Sequence, residues 1–217
     1  VLAENVLTKR WKGKMSEACK NGETKIVKLL LERCNSEESG LKTKNRFGWT
    51  PFMLACCNGH KDIVKLLLEH YERIDLNAIN DYGMTAFLWA CHDGHKDVVQ
   101  LLLDNSERIE LNARSRWGRS TALMWACENG HKDVVQLLLD HSERIDLNTR
   151  NRNGDTAFIL ACQYGHKDVV QLLLNHSNPR IAVNTINGGG CTAFIMACKN
   201  GHKDIVKLLL EYSDIDI

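Results

Sequence analysis

The chain has no excess of either charge, no long apolar run and no catalytic signature. Its 28 Lys and Arg stand against 27 Asp and Glu, so it makes no general electrostatic trap for nucleic acid or an anionic membrane. No apolar run approaches the roughly 18–20 residues a membrane span needs. No charged-then-apolar leader precedes Trp11, so no signal peptide is expected, and a chain that starts at Val1 reads as an excised fragment. A Gly-rich phosphate loop, a nucleophile elbow and a helix with paired metal-ligating histidines are all missing, which leaves catalysis without a motif.

Cysteine, by contrast, is plentiful, with nine in 217 residues. In a secreted protein that count would suggest a disulfide framework. Here Cys19, Cys56, Cys91, Cys127, Cys162 and Cys198 each follow an Ala at one recurring position. That register suits small, soft filling of a helix seam. The count is also odd, so reduced thiols in a cytosolic or nuclear setting are expected.

The recurrence extends to the whole chain. Gly-His-Lys-Asp-(Val/Ile)-Val-(Gln/Lys), followed by a Leu run, starts at Gly59, Gly94, Gly130, Gly165 and Gly201, steps of 35, 36, 35 and 36 residues. A degenerate copy starts at Gly22. A period of about 20–50 residues marks stacked repeats, in which each unit buries its apolar face only against its neighbours.

Residues 45–79 show the unit. Gly48 supplies the positive φ of a tight turn. Thr50 suits an N-cap and Pro51 the first helical position. Phe52, Ala55 and Cys56 then share one helical face, and Gly59 ends that helix. His60-Lys61-Asp62 opens a second helix, with Asp62 placed to meet the dipole. Ile74-Asp75-Leu76-Asn77 alternates as a brief extended segment would.

This order, turn then Gly-x-Thr-(Pro/Ala)-(Phe/Leu), helix, Gly-His, helix, resembles the ankyrin repeat. The Gly-x-Thr blocks begin at Gly48, Gly83, Gly154 and Gly190, and Gly118-Arg119-Ser120-Thr121 carries one inserted residue. The resemblance implies an all-α solenoid of helix pairs with β-turn fingers. A degenerate N-terminal capping repeat would occupy 1–44, full repeats 45–79, 80–114, 115–150 and 151–186, and a last repeat 187–217. The chain departs from the family pattern in lacking the His after the Thr-Pro-Leu triplet, where Met53, Leu88, Met124, Ile159 and Ile195 stand. It also keeps Pro only at Pro51 and lacks the Gly after the second helix. The Ser-Glu-Arg-Ile connectors at Ser106 and Ser142 lengthen the unit, so a longer second helix or connector is expected.

At the N-terminus, Lys9, Arg10, Lys12, Lys14 and Lys20 give the polar face of a capping unit, and residues 35–40 form a polar loop. Ile205, Val206, Leu208, Leu209 and Leu210 keep the interior pattern at the other end. Further repeats are therefore expected to follow, or that face to meet another molecule. Self-association through that face would be an exception in an otherwise monomeric chain.

Function is sought where the copies differ. Before the turn Gly stand Phe47, Tyr82 and Trp117, themselves preceded by Arg46, Asp81 and Arg116, with Arg152 the corresponding residue of the fourth finger. After the Gly come Trp49, Met84, Arg119 and Asp155. The resemblance implies that these tips line a binding groove together with first-helix ends such as His92, Asp93, Glu128 and Tyr164. Aromatic and Arg side chains are what interface hot spots use. Arg114, Arg116, Arg119, Arg150 and Arg152 crowd the third and fourth fingers, a composition suited to an acidic or phosphorylated protein segment. Trp89 and Trp125, inside first helices, read as seam packing. His60, His95, His131, His166 and His202 read as backbone-bonding residues of the interhelical turn, since Cys-x-x-x-His is wrongly spaced for a zinc finger and converging ligands are required.

The expected function is thus protein–protein recognition by a scaffold without enzymatic activity, cofactor or metal. Single-stranded nucleic-acid binding through the same Arg and aromatic tips is the alternative, opposed by balanced charge and by Asp81 and Asp155. A regulatory segment of a larger signalling protein is a third reading.

Overall fold

The computed structural model describes residues 13–33, 40–176, 181–212 and 215. Lys9, Arg10, Lys12 and loop residues 35–39, to which the sequence assigns a polar cap, lie outside them. Residues 13–21 are helical (α1), followed by α2 (Thr24–Arg33), α3 (Pro51–Cys57), α4 (Lys61–Leu68), α5 (Ala86–His92), α6 (Lys96–Asp104), α7 (Ala122–Glu128), α8 (Lys132–Asp140), α9 (Ala157–Tyr164), α10 (Lys167–Asn175), α11 (Ala193–Lys199) and α12 (Lys203–Leu210). No β-strand occurs among the described residues. The chain divides into two compact units, Val1–Ala90 with Asp97–Glu110, and Cys91–Lys96 with Leu111–Ile217.

Each first helix begins as its sequence dictates. Thr50, Thr121, Thr156 and Thr192 hold extended backbone and accept the third helical N–H on their hydroxyls, and Pro51 takes the first position of α3. The second helices α4, α6, α8 and α10 each bury a stripe two residues wide: Ile63, Val64, Leu67 and Leu68 in α4, and Val134, Val135, Leu138 and Leu139 in α8. In the second unit α7 packs on α9 and α9 on α11, while α8 packs on α10 and α10 on α12. The core of that unit is therefore a continuous seam between successive helix pairs.

The Gly-His motif is a lock between repeats. The His60 Nε2 bonds the carbonyl of Lys20, and His131, His166 and His202 do the same to His92, Glu128 and Gln163, all at 2.8 Å. The acceptor belongs to the first helix of the preceding repeat, one unit away from the interhelical turn that sequence reasoning assigned. A Cβ on the glycine that ends that preceding helix would sit 2.5 Å from the His131 ring at Gly94 and 2.5 Å from His166 at Gly130. Glycine is required there twice, for its left-handed backbone and for the space the next imidazole fills.

The connectors correct one expectation. Burial alternates through Ile74, Asp75, Leu76 and Asn77 as read, but the backbone turns instead of extending. A 3₁₀ turn at Tyr71–Arg73 absorbs the extra length, and the Asn77 N–H donates to the Asp75 carboxylate. Asn77 then staples the next connector, donating to the Arg108 carbonyl at 2.9 Å and accepting from the Glu110 N–H at 2.9 Å. Asn112 repeats this with Arg144 and Asp146.

The thiols follow the seam. Cys56, Cys91, Cys127 and Cys162 are buried, and desolvation holds each well above the ordinary thiol range. Burial pushes the Cys19 thiol up to about 12. Cys198 holds the same repeat position but is exposed, because among the described residues no following helix pair covers α11. Since the thiolate is the reactive form, mass-resolved alkylation of the native chain at pH 8 should modify Cys198 and the half-buried Cys57 first. Cys56, Cys91, Cys127 and Cys162 should react only after denaturation.

Candidate recognition surface

The fingers are built on asparagine. The Asn45 side-chain oxygen accepts the N–H groups of Phe47 and Trp49 at 2.9 and 3.0 Å, folding the turn around Gly48. Asn80, Asn151 and Asn187 do the same in their fingers. Ser115 replaces asparagine in the third finger and accepts the Ser120 N–H at 3.1 Å. The inserted Arg119 there adopts φ 58°, the one left-handed non-glycine among the described residues. Successive fingers join through the backbone: Asp81 donates to Phe47 at 3.2 Å, Arg152 to Gly118 at 2.6 Å, and Gly188 to Asn153 at 2.7 Å.

A basic side chain at the finger base rivets the same joints. Lys44 Nζ donates to the Ile79 carbonyl at 2.7 Å, Arg114 to the Arg150 carbonyl, and Arg150 to the Ile186 carbonyl. Arg114 and Arg150 also bond back into their own fingers, at Arg119 and Gly154. This corrects the expectation that these two guanidiniums face a partner: backbone carbonyls already hold them.

Two further corrections concern the residue after the turn Gly. Met84 and Asp155, expected at exposed tips, are buried, and Asp155 accepts the Asn187 side-chain amide at 2.7 Å. Trp49, at that same position, is half-buried. The chain folds this position inward against the helices, and Arg119 escapes only because the insertion gives the inward place to the buried Ser120.

In the first unit, Phe47 is 45% and Tyr82 49% exposed, and Arg46 and Asp81 lie exposed beside them. The Arg46 guanidinium stacks 4.6 Å from the Phe47 ring centre. Trp49 packs on Trp89 with centroids 4.6 Å apart, and Tyr82 meets Trp89 edge-on at 6.3 Å. Trp89 is thus a half-buried member of a finger-side aromatic patch, where sequence reasoning placed it in the seam. A cleft of about 380 Å³ opens next to it, lined by Ser16, Glu17, Lys20, Asn45, Phe47, Trp49 and Leu54.

In the second unit, Trp117 is 68% exposed, and Arg116, Arg119 and Arg152 are exposed as well. The first-helix ends supply the opposite sign. His92 donates from Nδ1 to the Asp93 carboxylate at 2.7 Å and packs edge-on against the half-buried Trp125, centroids 5.1 Å apart. Trp125 therefore packs against a ring of the preceding first helix. The exposed Tyr164 hydroxyl donates to the half-buried Glu128 carboxylate. Burial pushes the Glu128 carboxyl above its ordinary range. The Tyr164 bond and the His92 ring oppose that shift, and Asp155 adds to it.

A carboxyl whose pKa is higher folded than unfolded destabilises the fold once pH passes its folded value, and does so least below its unfolded value, near 4.3. Glu128→Gln should therefore raise the melting temperature at pH 7, with the gain closing as pH falls towards 4. Paired thermal melts at the two pH values check it.

No three His, Cys, Asp or Glu converge as a metal set among the described residues. In Cys127…His131 and Cys162…His166 the cysteine is buried and the imidazole is bonded to a backbone carbonyl. No helix among the described residues is long and apolar enough to cross a membrane.

A family model described as ankyrin repeats (3 copies) matches the chain over residues 15–115, 73–151, 108–185 and 142–217. None of the curated proteins compared with the chain matches it. The matched spans cover most of the sequence, and the chain belongs to the ankyrin-repeat family.

Proposed function

We propose that this ankyrin-repeat chain is a recognition module that holds another protein against its finger tips and first-helix ends, without chemistry of its own. Ankyrin repeats generally mediate protein–protein interaction. The observation that carries the reading here is the side-chain chemistry of the tips: Phe47, Tyr82 and Trp117 are large rings left in water, and in the first unit the half-buried Trp49 and Trp89 extend the aromatic area. Burying aromatic area against a partner is the largest gain such a surface offers. Arg116, Arg119 and Arg152 remain available for an acidic or phosphorylated flank of that partner. With Arg114 and Arg150 committed to carbonyls, the basic stripe that nucleic acid would need is broken. Affinity capture with the intact chain against a Phe47→Ala, Tyr82→Ala, Trp117→Ala variant tests this. A protein retained only by the intact chain supports the reading, and identical captures would end it.

A further inference from the structure

We propose that the first-helix floor of the second unit receives a lysine or arginine side chain of the bound protein, between the Trp125 and Tyr164 rings and the Glu128 carboxylate. The inference rests on the recognition reading above and adds the chemistry of one contact.

The floor is contiguous. Trp125 and Glu128 stand three residues apart in α7 and so share a helix face. The Tyr164 hydroxyl reaches Glu128 from the next repeat, and His92, tied to Asp93, closes the Trp125 side from the preceding one. Two carboxylates and three rings therefore meet on one patch.

The patch is unbalanced in a way a cation would correct. Among the described residues, the side-chain hydrogen-bond partner of the Glu128 carboxylate is a neutral hydroxyl, the nearby His92 ring is bonded to Asp93, and no Lys or Arg forms an ion pair with Glu128. Basic groups of the same unit are engaged elsewhere: Arg114 and Arg150 on carbonyls, and Lys199 at 2.9 Å from the Cys191 sulfur. A half-desolvated carboxylate gains most from a charge-assisted bond, and indole and phenol faces attract cations through their quadrupoles. A carboxylate or phosphate placed here would meet Glu128, with Asp93 and Asp155 close by. The sign of the floor is opposite to that of the Arg116, Arg119 and Arg152 rim, so the two surfaces select different residues of one partner.

The test titrates the full ¹⁵N-labelled chain with n-butylammonium and, separately, with n-butanol. The Trp125 indole N–H signal is followed, assigned from a Trp125→Phe spectrum. Saturable shifts with the ammonium alone, weakened about tenfold by Glu128→Gln and suppressed by salt, are expected. Equal response to the alcohol, or unchanged affinity in a Glu128→Gln protein whose other resonances superimpose, would overturn the assignment. Capture separates it from the broader reading. A partner lost with the finger-tip variant but held at full affinity by Glu128→Gln overturns the cation floor alone. A partner held by both variants overturns the recognition face as well.

Discussion

Gly130→Ala is expected to destabilise the protein by roughly 2–4 kcal/mol, while Gly201→Ala, at the same repeat position, should cost only about 1–2 kcal/mol. Both glycines have left-handed backbone, φ 72° and 75°, so both variants carry the penalty of a Cβ in that region. Only Gly130 has a neighbour in the way: the new Cβ would lie 2.5 Å from the His166 ring, whereas nothing lies within 4 Å at Gly201. The ring is poorly placed to retreat, since it bonds the Glu128 carbonyl at 2.8 Å. The difference between the variants therefore measures the interlock between repeats, separately from the turn. Urea unfolding of the two variants beside the parent reads it. Equal losses would mean that the histidine contributes nothing to the seam.

A second pair isolates stacking in the same way. Ile159→Ala should cost about 2–5 kcal/mol, and Ile195→Ala well under half of that. The two isoleucines occupy one repeat position, but Ile159 is fully buried beneath the following helix pair and Ile195 is 38% exposed. Leu174 and Leu210 show the same contrast, the first buried and the second 53% exposed. The residue types do not differ, so the predicted gap comes entirely from what covers them. Chemical denaturation followed by far-ultraviolet circular dichroism gives both values, and comparable losses would contradict the seam account.

The repeat, the Thr caps and the turn glycines were legible in the sequence, because each is a local signal repeated in register. Helix faces were legible for the same reason, as the burial of Phe52, Ala55 and Cys56 illustrates. The fingers were harder to read. A tight turn reverses the side-chain direction within a residue or two, so exposure at Phe47 says little about Trp49. That is why Met84 and Asp155 were placed outside when the backbone folds them in. Their own chemistry held a hint, since Met84 and Cys191 at this position are poor candidates for a solvated tip. The rivets were hidden for another reason. Lys44, Arg114 and Arg150 bond carbonyls 35 or 36 residues away, and a carbonyl has no side-chain letter in the sequence. The Asn45, Asn80, Asn151 and Asn187 anchors could have been found, since an Asn three residues before a turn Gly recurs in four of five fingers. Trp89 was misplaced because an aromatic on a short helix reads as core when the side facing the fingers is unknown, whereas Trp125 packs between successive first helices as read.

The Glu128 carboxylate joins the two halves of the account. A carboxyl that burial pushes above its ordinary range, set beside rings at a first-helix end, is what the proposed recognition surface would contain at some expense of stability.

Amide hydrogen exchange on the chain with its captured protein bound tests the recognition face most directly. Slowed exchange at the tips around Phe47, Tyr82, Trp117 and Arg152, and at the ends of α5, α7 and α9, is the predicted result. Protection confined to the second helices α6, α8 and α10, with the tips exchanging as in the free chain, would contradict it.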